Sequence, residues 1–271
     1  MTPITIFDTS FIMMLSQGDI VSHFACTLSE AHGFEACFKL LNDSVQSLGF
    51  DGVLYMSIPV GLVQHKEKTP ITIFQASNAY APTFLDHYAQ ANFADNDFTL
   101  KEIAAGKKDL IDWWGTARKN VLNESEIHVI TIAREEYKMR NGLSVPTLCT
   151  SYEIAGGSVV SYANDTTYAT LINDHSSMIA TLLKLFHCRV HADIECKKVF
   201  LTPLLEELSS KERMLLKFMV SGMPLKLIGN YCALSPGYAK NMLAHVCKKL
   251  GANNAHELRY LLGVYRLIEL L

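Results

Sequence analysis

The sequence predicts an α+β protein: an N-terminal α-β-α sandwich with a mainly antiparallel sheet, followed by a C-terminal all-α four-helix domain of helix-turn-helix type. Three observations predict it. Helical and strand-like periodicities are mixed before residue 190. Helix caps crowd the last 64 residues, Leu208 to Leu271. The charge also changes sign along the chain: from Glu206 onward there are 9 Lys/Arg against 5 Asp/Glu, whereas the residues before it carry 15 against 22. The organisation expected is a mixed α/β domain over 1–190, a linker over 191–205 and a helical domain over 206–271.

In the first part, Phe34, Cys37, Leu40, Leu41 and Val45 repeat at three- and four-residue steps, so Gly33 to Leu48 is expected as a helix ended by Gly49. Strands are expected at Gly52 to Pro59 and Thr69 to Ala76, and a helix over Tyr80 to Ala91. Asn123 and Glu126 form a capping box for a helix running to about Arg140. Strands at Leu143 to Tyr152 and Gly157 to Ala163 precede a long helix from Asp165 to about Val190. The hexapeptide at Thr2 to Phe7 recurs at Thr69 to Phe74, but the flanks diverge, so it reads as an echo of one strand-like segment. Within 191–205, Thr202-Pro203 predicts a bend, because the residue before a proline disfavours helix.

The last part is read from its caps. Ser209 and Glu212 make a second capping box, and Gly222 supplies a left-handed stop. Pro224 suits the first turn of a second helix. Ser235-Pro236 opens a third after the turn Ala233-Leu234. In that third helix Ala239, Leu243, Val246 and Leu250 form the inward stripe, leaving Tyr238, Asn241, Met242 and His245 on another face, where a DNA groove can meet them. A final apolar helix, with Leu258, Leu261, Leu262, Tyr265, Leu267 and Ile268, offers a dimer surface.

These residues resemble the DNA-binding domain of LuxR-type transcription regulators. Glu212, Leu216 and Gly222 stand at that family's spacing, and Ser235, Lys240, Lys249-Leu250-Gly251 and Asn254 match its later positions. The resemblance implies binding to double-stranded DNA at an inverted-repeat operator as a homodimer, through Ser235, Tyr238, Lys240, Asn241, Met242 and His245. RNA polymerase and a related regulator in a mixed dimer are further partners compatible with it. Tyr238 and Met242 stand where the family has Thr and His, and Lys226-Leu227-Ile228-Gly229 replaces its Lys-Glu-Ile-Ala.

The first 190 residues resemble the autoinducer-binding domain of the same quorum-sensing family. The match is clearest at His87 to Phe98, where Tyr88 and Asp97 keep the family's nine-residue separation, and at Asn141 to Pro146. The resemblance implies a small-molecule pocket with Tyr80, Phe84, Tyr88, Asp97, Phe98, Trp113 (or Trp114) and Ser161 around the ligand. Asp97 would accept the amide N–H of an acyl-homoserine lactone. Phe84 stands where the family has a Trp that donates to the lactone carbonyl, and Phe98 follows Asp97 in place of a proline. A phenyl ring has no donor, so the expected signal is one other than a standard acyl-homoserine lactone.

Other classes are set aside. There is no Gly-rich phosphate loop, Gly-x-Ser-x-Gly elbow or His-Glu-x-x-His helix, so no enzyme and no cofactor are expected. His187, His191 and Glu195, spaced by four beside Cys196, could share a helical face toward zinc, but no second Cys/His pair matches them. Seven cysteines without a Cys-x-x-Cys pair point to a reducing compartment. No apolar run reaches the roughly 18 residues of a membrane span. Ile4 to Leu15 lacks a basic start and carries Asp8, so a cytoplasmic protein without a signal peptide is expected. The alternative function is a ligand-independent relative, or an anti-activator, acting through mixed dimers.

Overall fold

The computed structural model describes residues 17–63 and 74–271. Among these, 17–57, 74–149 and 154–192 form one compact unit, and 58–63, 150–153 and 193–271 form a second. The echo at Thr2 to Phe7 and most of the expected strand from Thr69 lie outside the described residues.

In the first unit α1 (Gln17–Glu30) and α2 (Gly33–Ser47) lead into β1 (Gly52–Ile58), after which the single turn α3 (Val60–Val63) belongs to the second unit. Then come β2 (Phe74–Ala76), α4 (Pro82–Gln90), α5 (Phe98–Ala104), β3 (Ile111–Asp112), α6 (Trp113–Ala117), α7 (Glu124–Glu135), β4 (Asn141–Cys149), β5 (Ile154–Ser161) and the long α8 (Asp165–Ala192). The sheet order is β2-β1-β5-β4-β3, with β1/β2, β3/β4 and β4/β5 antiparallel. The expected capping box of α7 forms, with Asn123 accepting from Glu126 N and Glu126 from Asn123 N. That helix ends at Glu135 rather than near Arg140, because Lys138 is left-handed.

Two glycines set the layers. A Cβ on Gly157 would meet Leu183 of α8 at 2.4 Å, whereas one on Gly156 would meet Ile103 of α5 at 2.9 Å. Successive strand residues point to opposite faces, so α8 covers one face of the sheet and α5 the other. On the α8 side Phe34, Phe38, Tyr55 and Phe186 pack edge to face or stacked, and Tyr55 Oη bonds His187 Nδ1 at 2.8 Å. Pro146 sits inside β4 next to a register shift. It is tolerated because β3 pairs only Leu143 and Ser144, so β4 is an edge at that point.

The second unit contains α9 (Ile194–Glu206), α10 (Ser210–Val220), a 3-10 turn at Leu225–Leu227, α11 (Gly229–Cys232), α12 (Pro236–Lys249) and α13 (Ala255–Val264). Three expectations are corrected here. The linker 191–205 is helical almost throughout, with Pro203 inside α9. Burial of Phe200, Leu201, Leu204 and Leu205 outweighs a cost of about 3 kcal/mol for an interior proline. The second helix of the helix-turn-helix is split into a 3-10 turn and one α turn, since Pro224 is extended and Gly229 is a poor helix former. In the last helix Leu258, Leu261 and Leu262, and after its end Tyr265 and Leu267, are buried within the unit. The apolar side chains left outside there are Tyr260, Val264 and Ile268.

α8 ends at Ala192 and Asp193 caps the next helix, so the four-residue spacing of His187 and His191 does not run on to Glu195. Among the described residues no group of three or more His, Cys, Asp and Glu could hold a metal ion, and no helix is long and apolar enough to cross a membrane.

Candidate ligand site and nucleic-acid face

Phe84 and Tyr88 ride on α4 and Tyr80 stands just before its N-cap Ala81, and their rings follow one another. Centroids lie 6.5 Å apart for Tyr80 and Phe84, and 6.0 Å for Phe84 and Tyr88. Phe84 is buried and also meets the Tyr137 ring at 5.2 Å. At the centre of this row stands a ring with no hydrogen-bond donor.

Asp97 is the N-cap of α5. Its Oδ1 accepts from Thr99 N at 2.8 Å, the Thr99 hydroxyl at 2.7 Å and Leu100 N at 3.4 Å, while Oδ2 accepts from the Tyr88 hydroxyl at 2.8 Å. Burial first, and then the Asp97 carboxylate, push the Tyr88 hydroxyl far above the ordinary tyrosine range, so it stays protonated and donating. Burial likewise raises Tyr80, with Tyr162 and Asp97 adding to it. A carboxylate offers about four lone-pair sites; with Oδ1 crowded, Oδ2 has room for one more donor. Phe98, the first residue of α5, is fully buried.

The sheet supplies the polar floor. Trp113 Nε1 donates to Ser144 Oγ at 2.9 Å, Ser144 Oγ bonds Ser158 Oγ at 2.7 Å, and the Tyr80 hydroxyl donates to Ser158 O at 3.2 Å. Ser144 and Ser158 are register partners on β4 and β5, and Ser158 shares the α5 face with Gly156. A Cβ on Gly142 would strike the Trp113 ring at 2.5 Å, so that glycine lets the indole lie against the strand. The other candidate, Trp114, instead lies under the Arg134 guanidinium, 4.8 Å from its centroid. Thus Tyr80, Phe84, Tyr88, Asp97 and Trp113 belong to one linked cluster. Ser161 does not: three residues beyond Ser158, it points to the α8 face, and its hydroxyl accepts from Ala163 N. Ser144 and Ser158 escaped the sequence reading because only strand pairing reveals that they meet.

In α12, Ser235 is the N-cap, its hydroxyl accepting from Tyr238 N. Tyr238, Asn241, Met242 and His245 line one hollow with Ser209, Lys211 and Glu212, whereas Lys240 lines another with Ala244 and Lys248. The buried stripe is Ala239, Val246 and Leu250. Opposite it run Gly237, Asn241, Ala244 and Lys248, at i, i+4, i+7 and i+11, all exposed. Lys240 flanks this strip on one side and Tyr238 on the other, while Met242 is half-buried. Gly237, Ala244 and Lys248 were missed, although their spacing repeats that of the buried stripe on the opposite side.

Glu212 and Lys249 tie the module together. Glu212 Oε2 accepts from Ser209 N at 2.7 Å and Lys249 Nζ at 2.8 Å, its Oε1 lies 3.2 Å from His245 Nδ1, and Lys249 also reaches Glu207 O. Burial pushes the Glu212 carboxyl up, but the Lys249 and Ser209 hydrogen bonds outweigh it and hold it at about 2. His245 therefore faces a carboxylate of its own chain.

No curated protein sequence matches this chain. Among solved structures, the crystal structure of Escherichia coli SdiA is similar with a TM-score of 0.54 and 14% identity, covering 92% of this chain and 97% of that one. SdiA in complex with octanoyl-rac-glycerol is similar with a TM-score of 0.53 and 13% identity, over 92% and 95%. At these identities the likeness is one of fold. The sequence profile of the autoinducer binding domain matches residues 33–190, which is more than half of the chain and takes in the Tyr80 to Ser158 cluster. The chain belongs to the autoinducer-binding domain family, the sensor family of LuxR-type quorum-sensing regulators.

Proposed function

We propose that this chain is a transcription regulator that binds DNA as a dimer and senses a small uncharged amphiphile other than a standard acyl-homoserine lactone. The observation that carries the ligand class is Phe84, buried in the middle of the aromatic row beside Asp97. An apolar wall with a few fixed polar groups suits an amphiphile, and a carboxylate with one acceptor place left suits a single hydroxyl or amide donor. An anionic ligand would meet Asp97 without compensation. The acyl-glycerol named with the SdiA structure is of the favoured class, having hydroxyl donors and no lactone carbonyl in need of an indole.

The DNA reading is supported by the capped helices of the second unit and the exposed strip of α12. Asn241 is the side chain best suited to a base edge, while Lys240 and Lys248 suit phosphates. Ser235 acts as a cap, and Tyr238 borders the strip. Met242 and His245 are committed in part to the module itself. The exposed apolar residues Tyr260 and Val264 of α13, with Ile268 beyond its end, are the dimer surface in this reading.

One observation favours a second reading, a ligand-independent regulator working through mixed dimers. Apart from the one acceptor place on Asp97 Oδ2, the polar groups of the cluster satisfy one another, from Trp113 through Ser144 to Ser158 and from Tyr88 to Asp97. A single experiment separates the readings. Melting of the full-length chain is followed with octanoyl-rac-glycerol or octanoyl-homoserine lactone in excess over protein and at about 100 μM, which is about 100 times a micromolar Kd. A specific ligand at about 100 times its Kd adds about 2.7 kcal/mol. The first reading expects a rise with the glycerol ester and none with the lactone. A rise with the lactone alone overturns the ligand class, and no rise with either favours the second reading.

A further inference from the structure

We propose that the second unit contains a latch, built from Glu153, Lys197 and Tyr265, which takes the β4–β5 turn and the turn after β1 into that unit's own core and makes the β4–β5 hairpin the link between signal and DNA binding. The link to signal and DNA rests on the function proposed above; the latch itself does not.

The turn is stiff before it is held. Thr150 N donates to Glu153 O at 2.9 Å, and the Thr150 hydroxyl accepts from Tyr152 N at 3.3 Å and Glu153 N at 3.0 Å. Its last residue then offers a carboxylate that meets Lys197 Nζ of α9 at 3.0 Å, with side chains 7% and 5% exposed. The ammonium also stands 5.8 Å from the Tyr265 ring centroid. Tyr265 is fully buried; its hydroxyl donates to Tyr152 O and accepts from Gly61 N at 3.1 Å, and Gly61 N also reaches Tyr152 O at 3.2 Å. Gly61 must be small here, because a Cβ would lie 2.9 Å from both Leu261 Cδ2 and the Tyr265 hydroxyl. Outside, the Tyr152 and Tyr260 rings meet edge to face at 5.3 Å.

A buried ion pair adds little net stability compared with an apolar pair, but removal of one partner leaves an uncompensated charge. Such a pair suits a junction that should hold in one arrangement and release as a unit. The hairpin that ends in this turn carries Ser144 on β4 and Ser158 on β5, in register and hydrogen-bonded. Two paired strands transmit a shift more stiffly than a loop does, so a rearrangement of the serines arrives at Thr150–Glu153.

The test uses hydrogen exchange of the full-length chain. Amides of 58–63 and 150–153 should exchange in step with α13. In Lys197→Met the protection of 150–153 should fall on the order of a hundredfold with that of α13, while α8 is unchanged. Tyr265→Phe, which removes only a hydroxyl, should lower protection at 58–63 about tenfold and keeps the test informative if the lysine variant fails to fold. Unchanged protection at both segments, or an equal fall in α8, overturns the latch. Affinity for an operator obtained by binding-site selection is then measured with and without octanoyl-rac-glycerol. Tyr265→Phe should keep the basal affinity and lose the response to the additive. A full response in the variant overturns the link. No response in the wild type counts against the function proposed above, and the exchange data still decide the latch.

Discussion

Asp97 has two duties that pull against each other. As the cap of α5 it takes three donors on one oxygen, and as part of the candidate site it takes the Tyr88 hydroxyl on the other. Asp97→Ala strands all of these donors and should destabilise the unliganded protein by about 2–4 kcal/mol in urea unfolding. Asp97→Asn, nearly as good a cap, should cost less than about 1 kcal/mol while weakening the response to an amphiphile, since a charged acceptor is lost. Equal losses in the two variants would mean that the charge itself stabilises the fold. Glu212 carries the corresponding pH dependence in the second unit. Its carboxyl falls from an ordinary 4.5 to about 2 in the folded chain. A lowered carboxylate pKa stabilises above the unfolded value and ceases to do so as pH falls through the folded one. The helical circular dichroism of the wild type should therefore lose thermal stability between about pH 4.5 and pH 2. Glu212→Gln should be less stable at neutral pH and flatter across that window, and parallel pH profiles would assign the acid sensitivity to other groups.

At the scale of elements, α12 shows why a helix face must be read against its buried side. Its caps and inward stripe were legible from Ser235, Pro236, Ala239, Val246 and Leu250, because capping and periodicity are local. The outward strip is equally local once the stripe is known, and it shifts the expected contacts from Met242 and His245 toward Asn241, Ala244 and Lys248. Lys240→Ala and Lys248→Ala should each lower the salt slope of operator binding by about one, as for one lost phosphate contact apiece. Asn241→Ala should relax selection at one or two base pairs, whereas Met242→Ala should mainly reduce stability. A binding-site selection in which only Met242→Ala changes the motif would restore the first assignment. What the sequence did not disclose is non-local or short. Ser144 meets Ser158 only through strand pairing, the two-residue β3 and the one-turn α6 are too brief to show a period, and Pro203 stays helical because apolar burial around it overrides a local preference. The long α8 and the capping box of α7 carried their own signals and were found.

For the whole molecule the question raised by the proposed function is how a basic module with a surplus of 4 positive charges, in a chain of net charge −3, would attain useful affinity for DNA. One module with two or three phosphate contacts binds weakly at physiological salt. Two modules on one inverted repeat bind with an effective concentration set by their tether, which multiplies affinity by about 10²–10⁴ without any new contact. The surface proposed for that pairing is Tyr260 and Val264 of α13 with Ile268 beyond its end, exposed at 52%, 37% and 44%, while Leu258, Leu261, Leu262, Tyr265 and Leu267 are buried inside the unit. Exposed large apolar side chains near one another in sequence are costly to leave in water. A twofold contact would cover them with the same residues of a second copy. Val264→Glu should therefore leave the melting temperature of the chain nearly unchanged, because the side chain lies outside the core, yet yield a monomer in sedimentation at micromolar concentration. Its affinity for an inverted repeat should fall by about 10²-fold or more, to that for a single half-site, which should itself be unaltered. A Val264→Glu chain that stays dimeric would move the interface off α13, and a monomer that still binds the full repeat as tightly as the wild type would show that pairing on DNA, rather than in solution, supplies the avidity.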